Sequence, residues 1–353
     1  MLQSLTNLAK QHFGSQISDP KPLKGDGSDR EIYRFFRPDG FSFVGVTNSH
    51  RLENEAFILL SRHFAQYGIP VPDIYQTDLN HGCYLLEDLG DITLADMLQP
   101  LDPDNPQDAK LIQNYYHQVI HWLPKLQLQG HQGLDYQFCY MDKILDYNTF
   151  MTDLRYFEQY FWNLFASNYP KSGMIQQELE QLALQLDKIE RQSFVYRDFQ
   201  SRNIMWKKNH PCFIDYQSGC PGAIHYDVAT MLYASKARLN EPLRQLLIET
   251  YLDELPSTMK PSHAEFTETL YNFVLIRRLR SLGTYGFLPS QKGKFYFLDA
   301  IPGTIHDIFQ LLSNHPALSQ WTALKELFYQ WSQDPNLCSK TWLHNFVKQQ
   351  THP

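Results

Sequence analysis

The segment from residue 194 to residue 215 constrains the fold of this 353-residue chain more than any other part of it. It reads Phe194-Val195-Tyr196, then a polar run from Arg197 to Asn203, then Ile204-Met205-Trp206, a turn at Lys207 to His210, and Cys212-Phe213-Ile214 closing on Asp215. Short apolar runs rich in β-branched and aromatic residues, separated by polar turns, are strand and hairpin signals. Helical spacing stands on both sides of them. Upstream, Ile175, Leu179, Leu182, Leu186 and Ile189 make one stripe, and helices resume from about residue 225. A loop and a short hairpin are thus embedded among helices.

The N-terminal part carries a different pattern. Two extended runs, Tyr33 to Arg37 and Phe41 to Val46, flank the turn former Pro38-Asp39-Gly40 and predict a β-hairpin. Leu52, Ala56, Leu59, Leu60, His63, Phe64 and Tyr67 then recur at helical spacing, and Gly68 followed by Ile69-Pro70-Val71-Pro72 stops that helix. A further strand, Tyr84-Leu85-Leu86, runs into the polar bend Glu87-Asp88-Leu89-Gly90-Asp91, a candidate hinge.

Composition removes several function classes. The apolar share of 43% and charged share of 20% are ordinary for a folded protein. A net charge of −7 argues against a dedicated nucleic-acid binder, which needs clustered cations to displace counterions. Five cysteines without C-x-x-C spacing indicate neither a disulfide framework nor a zinc site. The first fourteen residues read as a short amphipathic helix rather than a signal peptide, and no apolar run reaches membrane-spanning length, so a cytoplasmic protein is expected.

In the central segment, Asp198 precedes Asn203 by five residues, and the hairpin that follows delivers a second carboxylate, Asp215. Phosphoryl transfer to a hydroxyl needs one carboxylate to orient and deprotonate the nucleophile, plus oxygen ligands for magnesium. Asp198 answers to the first role, Asn203 and Asp215 to the second. Each alone is an ordinary loop residue. The set of strand, Arg-Asp, spaced asparagine, hairpin and terminal aspartate is what points to chemistry.

These residues resemble the Brenner motif of protein kinases and, more closely, of the aminoglycoside phosphotransferase and choline kinase-like family. Tyr196-Arg197-Asp198 stands where that family has His-Gly-Asp or His-Arg-Asp, and Asp215-Tyr216-Gln217 stands where protein kinases have Asp-Phe-Gly. His225-Tyr226-Asp227-Val228-Ala229 looks like the family's helix-opening segment, which implies that Asp227 caps a helix. The resemblance implies an α+β, protein-kinase-like two-lobed fold, with a small β-rich nucleotide-binding lobe over residues 1–86 and a larger, mostly helical lobe over 87–353, hinged at 87–91. It implies ATP and magnesium as cofactors, a phosphate-covering loop at Gly25, Gly27 and Ser28, and adenine bonded by the backbone near Glu87 and Leu89. It also implies a glutamate, Glu53, paired with a strand lysine. That strand, Phe41 to Val46, contains no lysine, so the cation is left open among Lys24, Arg30 and Arg34, or to magnesium itself.

The lysine-less strand, Glu-Asp-Leu-Gly at the hinge and Arg-Asp-x-x-Ser-Arg-Asn in the loop together resemble the sugar-kinase branch, the N-acetylmuramate/N-acetylglucosamine kinases. That likeness implies a small hydroxylated substrate, most readily an amino sugar, with Gln217, Arg238 and Arg280 as candidate sugar contacts. An aminoglycoside or amino-alcohol kinase and a nucleotide-binding pseudokinase are the alternatives. No nucleic-acid or membrane partner is implied, and oligomeric state is left open.

Overall fold

A computed structural model describes residues 1–23, 30–234, 237 and 239–351. The predicted N-terminal hairpin is there, as β2 (Glu31–Phe36) and β3 (Ser42–Thr47), paired antiparallel from Glu31↔Thr47 to Phe36↔Ser42 after β1 (Lys21–Leu23). Its turn closes where the sequence supplies the means. Gly40 takes φ 84°, and the Asp39 carboxylate accepts the Phe41 N–H at 3.1 Å. With β4 (Ile74–Asp78) and β5 (Cys83–Glu87) the strands form one antiparallel sheet in the order β1-β2-β3-β5-β4.

Helix α1 (Leu2–Phe13) closes one face of this sheet. Leu5, Leu8 and Ala9 bury against Phe35, Phe43, Cys83 and Leu85, with Phe13 stacked 4.1 Å from Phe43. The close approach requires Gly45, since a Cβ there would lie 2.8 Å from a Leu5 methyl.

Helix α2 (Arg51–Gln66) occupies the predicted span but is rotated about its axis relative to the expected stripe. Leu52 and Leu59 are exposed, while Ala56, Phe57, Leu60, Ser61 and Phe64 are buried. The reason is Tyr216, whose ring stacks on Phe57 at 5.2 Å and whose hydroxyl shares a hydrogen bond with Ser61. Gly68, at φ 67°, ends the run.

The chain divides into two compact units. The first comprises Met1–Lys143, Gln192–Pro221 and Arg238–Leu255, and so holds the sheet, the expected hinge 87–91 and the central hairpin. The second comprises Ile144–Arg191, Gly222–Ala237 and Pro256–Pro353. It is helical, and its longest helix, His263–Lys292, opens on a Ser262/Glu265 capping box and ends at Gly293 with φ 67°. The stripe at Ile175, Leu179, Leu182 and Leu186 is buried on helix Gly173–Asp187, which stops short of Ile189. Among the described residues no helix is long and apolar enough to cross a membrane.

Helix His225–Leu232 in the second unit departs from expectation. Ile224 is its cap residue, and the fully buried Asp227 lies within its first turn. His225 is sandwiched between Phe266 at 4.4 Å and Phe273 at 5.8 Å, and its Nδ1 has no hydrogen-bond partner among the described residues. Burial therefore pushes this imidazole down from 6.5 to about 3. Between those values the unfolded chain binds a proton that the folded protein refuses, so the contribution is complete above pH 6.5 and declines as pH falls. Going from about pH 8 to about pH 5 should cost about 2 kcal/mol through this residue. Denaturant midpoints measured across that range should show a shallower acid loss in His225→Phe than in the natural protein; equal slopes would refute the assignment.

Candidate active site

The central segment folds as a strand, a loop and a hairpin, all within the first unit. Strand β6 (Ser193–Val195) delivers Tyr196, Arg197 and Asp198. After a single helical turn at Ser201–Asn203, β7 (Ile204–Lys207) pairs with β8 (His210–Phe213) from Ile204↔Phe213 to Lys207↔His210. The connecting Lys208 and Asn209 both have positive φ, 49° and 65°, the geometry that matches the twist of a two-residue hairpin. The hairpin is anchored at both strands. Trp206 donates to the Ile92 carbonyl at 2.8 Å, and Phe213 donates to the Pro70 carbonyl at 2.8 Å.

This anchoring brings the three predicted residues into one bonded arrangement. The Asn203 amide nitrogen donates to the Asp198 backbone carbonyl at 2.8 Å and to the Asp198 carboxylate at 3.0 Å, while the Asn203 carbonyl accepts the Ile214 N–H at 3.1 Å. Arg202 donates to the same carboxylate at 2.9 Å, and Gln200 bonds its other oxygen. Three donors thus fix the orientation of Asp198. Asp215, one residue beyond Ile214, stands at φ 70°.

Tyr196 supplies a contact in place of the histidine found in the family motif. Its hydroxyl donates to the Ile214 carbonyl, and its fully buried ring sits edge-on to Phe199 and Tyr216 at 5.2 and 5.9 Å. Arg197, at φ 75°, occupies a backbone region that glycine enters freely and other residues only at a cost, which accounts for glycine at this place in the family motif. Its guanidinium is held by Asp142.

Around Asp215 the carboxylates are matched, among the described residues, by Arg30. Arg30, the residue before β2, bonds the Asp215 Oδ1 and lies 3.5 Å from Glu53 in the first turn of α2. The Gln217 amide nitrogen donates to Asp215 Oδ1 at 2.9 Å and to Glu53 at 3.3 Å, and Asn48 donates to the other Glu53 oxygen at 2.9 Å. Burial opposes the Arg30 charge, yet Asp215, Tyr84 and Glu53 outweigh it and raise its pKa further. Gln217, a candidate sugar contact from sequence, therefore stands inside this cluster.

At the other end of β5, Glu87 donates its N–H to the Asp73 carbonyl at 2.9 Å and pairs its carboxylate with Lys207, which also donates to the Asp88 carbonyl. Leu89 is buried. Arg34 bonds Asp88 at 2.9 Å and Asp91 at 3.1 Å. Burial alone would raise the Asp88 pKa, but hydrogen bonds from Ser42, Arg34 and the Gly90 N–H leave it lowered.

Gly25, Gly27, Ser28, Lys24 and Arg238 lie outside the described residues. Arg280 belongs to the second unit, where it pairs with Asp153 at 2.8 Å and lies 3.5 Å over the Tyr156 ring. Tyr140 carries no signal in the sequence pattern. Burial first, then the negative Glu53, push its phenol up to about 12, with Arg30 and Asp215 also acting on it. The segment that carries it is pinned by Cys139 Sγ to the Gly219 carbonyl at 3.3 Å and by the Asp142–Arg197 pair. Nothing in residue spacing announces such a long-range attachment.

An Asp-x-x-x-x-Asn loop, a hairpin ending in aspartate and an antiparallel sheet ahead of them define a protein-kinase-like phosphotransferase. The chain belongs to the phosphotransferase enzyme family, whose sequence model matches residues 11–262, and is a small-molecule kinase. It is 22% identical over 311 residues to the N-acetylmuramate/N-acetylglucosamine kinase of Pseudomonas aeruginosa, covering 85% of each chain. It is likewise 22% identical over 307 residues to the enzyme of that name from Neisseria meningitidis serogroup B, covering 84% of this chain and 87% of that one. Among solved structures, a choline/ethanolamine kinase family protein from Mesorhizobium loti matches with a TM-score of 0.61 at 10% identity, over 92% of this chain and 98% of the other. The ADP-bound aminoglycoside phosphotransferase APH(2'')-Ib matches with a TM-score of 0.54 at 14% identity, over 89% and 97%.

The Tyr196 hydroxyl should matter through Ile214. Tyr196→Phe leaves that carbonyl without its donor and should cost about 1–3 kcal/mol in unfolding free energy. Tyr196→Leu, which also removes the ring contacts, should cost more. A Tyr196→Phe protein as stable as the natural one in denaturant titration would contradict the assignment.

Proposed function

We propose that this protein transfers the γ-phosphate of ATP, with magnesium, to a hydroxyl of an amino sugar of the N-acetylmuramate/N-acetylglucosamine type. The observation that carries the transfer is the Asp198 carboxylate, oriented by Gln200, Arg202 and Asn203 and bonded through Asn203 to Ile214, the residue before Asp215. The substrate class is supported by curated relatives from three bacteria, 22–23% identical over 84–85% of this chain.

Asp198 is the base. It accepts the proton of the acceptor hydroxyl as that oxygen bonds to the γ-phosphorus and the bond to the β-phosphate oxygen breaks, releasing ADP. The residues present fit magnesium. The Asn203 nitrogen is committed to Asp198, which leaves its amide oxygen as a ligand, and Arg30 and Gln217 both meet Asp215 through Oδ1, which leaves Oδ2. The Asn203 amide oxygen and Asp215 Oδ2 would hold the ion together with the nucleotide phosphates. When bound it would draw charge off the phosphates. Adenine is assigned to the backbone at Glu87 and Leu89, with Glu87 acting through its carbonyl because its N–H is taken by Asp73. Residues 87–91 are proposed to serve as the hinge between lobes.

ADP release should be measured with N-acetylmuramate, N-acetylglucosamine, choline, ethanolamine and an aminoglycoside as acceptors. Turnover with the amino sugars alone is expected. Turnover with choline or an aminoglycoside instead would overturn the substrate class, and nucleotide binding without turnover on any acceptor would favour a pseudokinase.

Asp198→Ala should lower kcat by about a hundredfold or more while leaving ADP affinity within about twofold. Asp215→Ala should lose the magnesium dependence of ADP binding. Undiminished turnover in the first variant, or unchanged metal dependence in the second, would remove the corresponding role.

A further inference from the structure

We propose that Arg30 is the cation that grips the α- and β-phosphates of the nucleotide, in place of the lysine that protein kinases carry on the third strand. This inference rests on the phosphotransfer reading and completes it. Strand β3, Ser-Phe-Val-Gly-Val-Thr, holds no cation at all. The guanidinium comes from the neighbouring strand instead. Arg30 immediately precedes Glu31, and Glu31 is the register partner of Thr47 at the end of β3. The charge is therefore delivered beside the position a third-strand lysine would serve.

The partners of Arg30 are those such a lysine would need. One is a glutamate in the first turn of the helix after β3, Glu53, 3.5 Å from Arg30 Nε. The other is Asp215, the carboxylate assigned to the metal, so anything that docks against Asp215 arrives beside the Arg30 fork. Tyr84 of β5 also hydrogen-bonds the guanidinium. Three elements thus hold the group in place, with its side chain 14% exposed.

The other candidate cations are placed differently. Arg34 is bonded to Asp88 and Asp91, and Lys207 to Glu87 and the Asp88 carbonyl, so both serve the adenine end of β5. Lys24 lies outside the described residues. Arg30 alone of Arg30, Arg34 and Lys207 touches Asp215. A guanidinium also suits the task chemically. Its planar fork can satisfy a carboxylate and a phosphate oxygen at once, and it carries its charge at any physiological pH. Removing it would leave Glu53 and Asp215 as two half-buried negative charges facing an incoming polyphosphate.

The test is calorimetric binding of ADP and of adenosine, each with magnesium, to the natural protein, Arg30→Gln and Arg30→Lys. Loss of the charge-assisted bonds should weaken ADP about 10- to 100-fold in Arg30→Gln. Adenosine, which has no phosphates, should bind equally to all three proteins. Arg30→Lys keeps the charge without the fork, so its ADP affinity should fall between the other two, and this variant decides the matter should Arg30→Gln fail to fold. Undiminished ADP affinity in the substituted proteins, or a loss shared equally by adenosine, would overturn the assignment, the latter by showing a purely structural role. A natural protein with no affinity for ADP would instead sink the phosphotransfer reading, and this inference with it.

Discussion

Charge compensation around Asp215 is the constraint on which the rest of the site depends. Glu53 and Asp215 are brought together by elements far apart in sequence, the start of α2 and the end of β8, and neither side chain is fully open to water. Two carboxylates so placed repel one another unless a cation or hydrogen-bond donors stand between them. Arg30 and the Gln217 amide do so, and Asn48 holds the far side of Glu53. The sheet, the helix and the β7–β8 hairpin therefore meet at one neutralising cluster. What binds there must exchange with bonds already made, so the site is pre-shaped for oxygen anions and cations rather than for apolar groups.

A second attachment works through aromatic packing. Tyr196 and Tyr216 meet edge to face, Tyr196 bonds the carbonyl of Ile214, and Tyr216 stacks on Phe57 and bonds Ser61. Asp198 lies two residues after Tyr196 and Asp215 immediately before Tyr216, so the two carboxylates are carried by backbone whose side chains are locked to the same buried stack. Left-handed φ at Arg197 and Asp215 becomes tolerable on such a support.

Much of this was legible in sequence where the signal is local. The turn at Pro38-Asp39-Gly40 announces the β2–β3 hairpin, and the spacing of Asp198, Asn203 and Asp215 across a second hairpin reports residues that covalent connectivity alone must bring close. The rotation of α2 was not legible, because Leu52 and Leu59 fit a helical stripe as well as Phe57 does, and only the ring of Tyr216 selects between them. Tyr140 and Asp142 were silent for a related reason. Their place is set by Arg197 and Gly219, more than fifty residues away, and no periodicity encodes such a pairing. That the Gln217 nitrogen binds two carboxylates is equally silent in sequence, because their convergence is itself a tertiary event.

The absence of an amine from β3 has a practical consequence. Reagents that profile kinases by acylating a lysine beside the bound phosphates depend on a nucleophilic nitrogen at that strand, and a guanidinium, permanently protonated, does not react in this way. Ser42 to Thr47 offers them no target. Labelling that relies on an amine of this strand therefore has nothing to react with there.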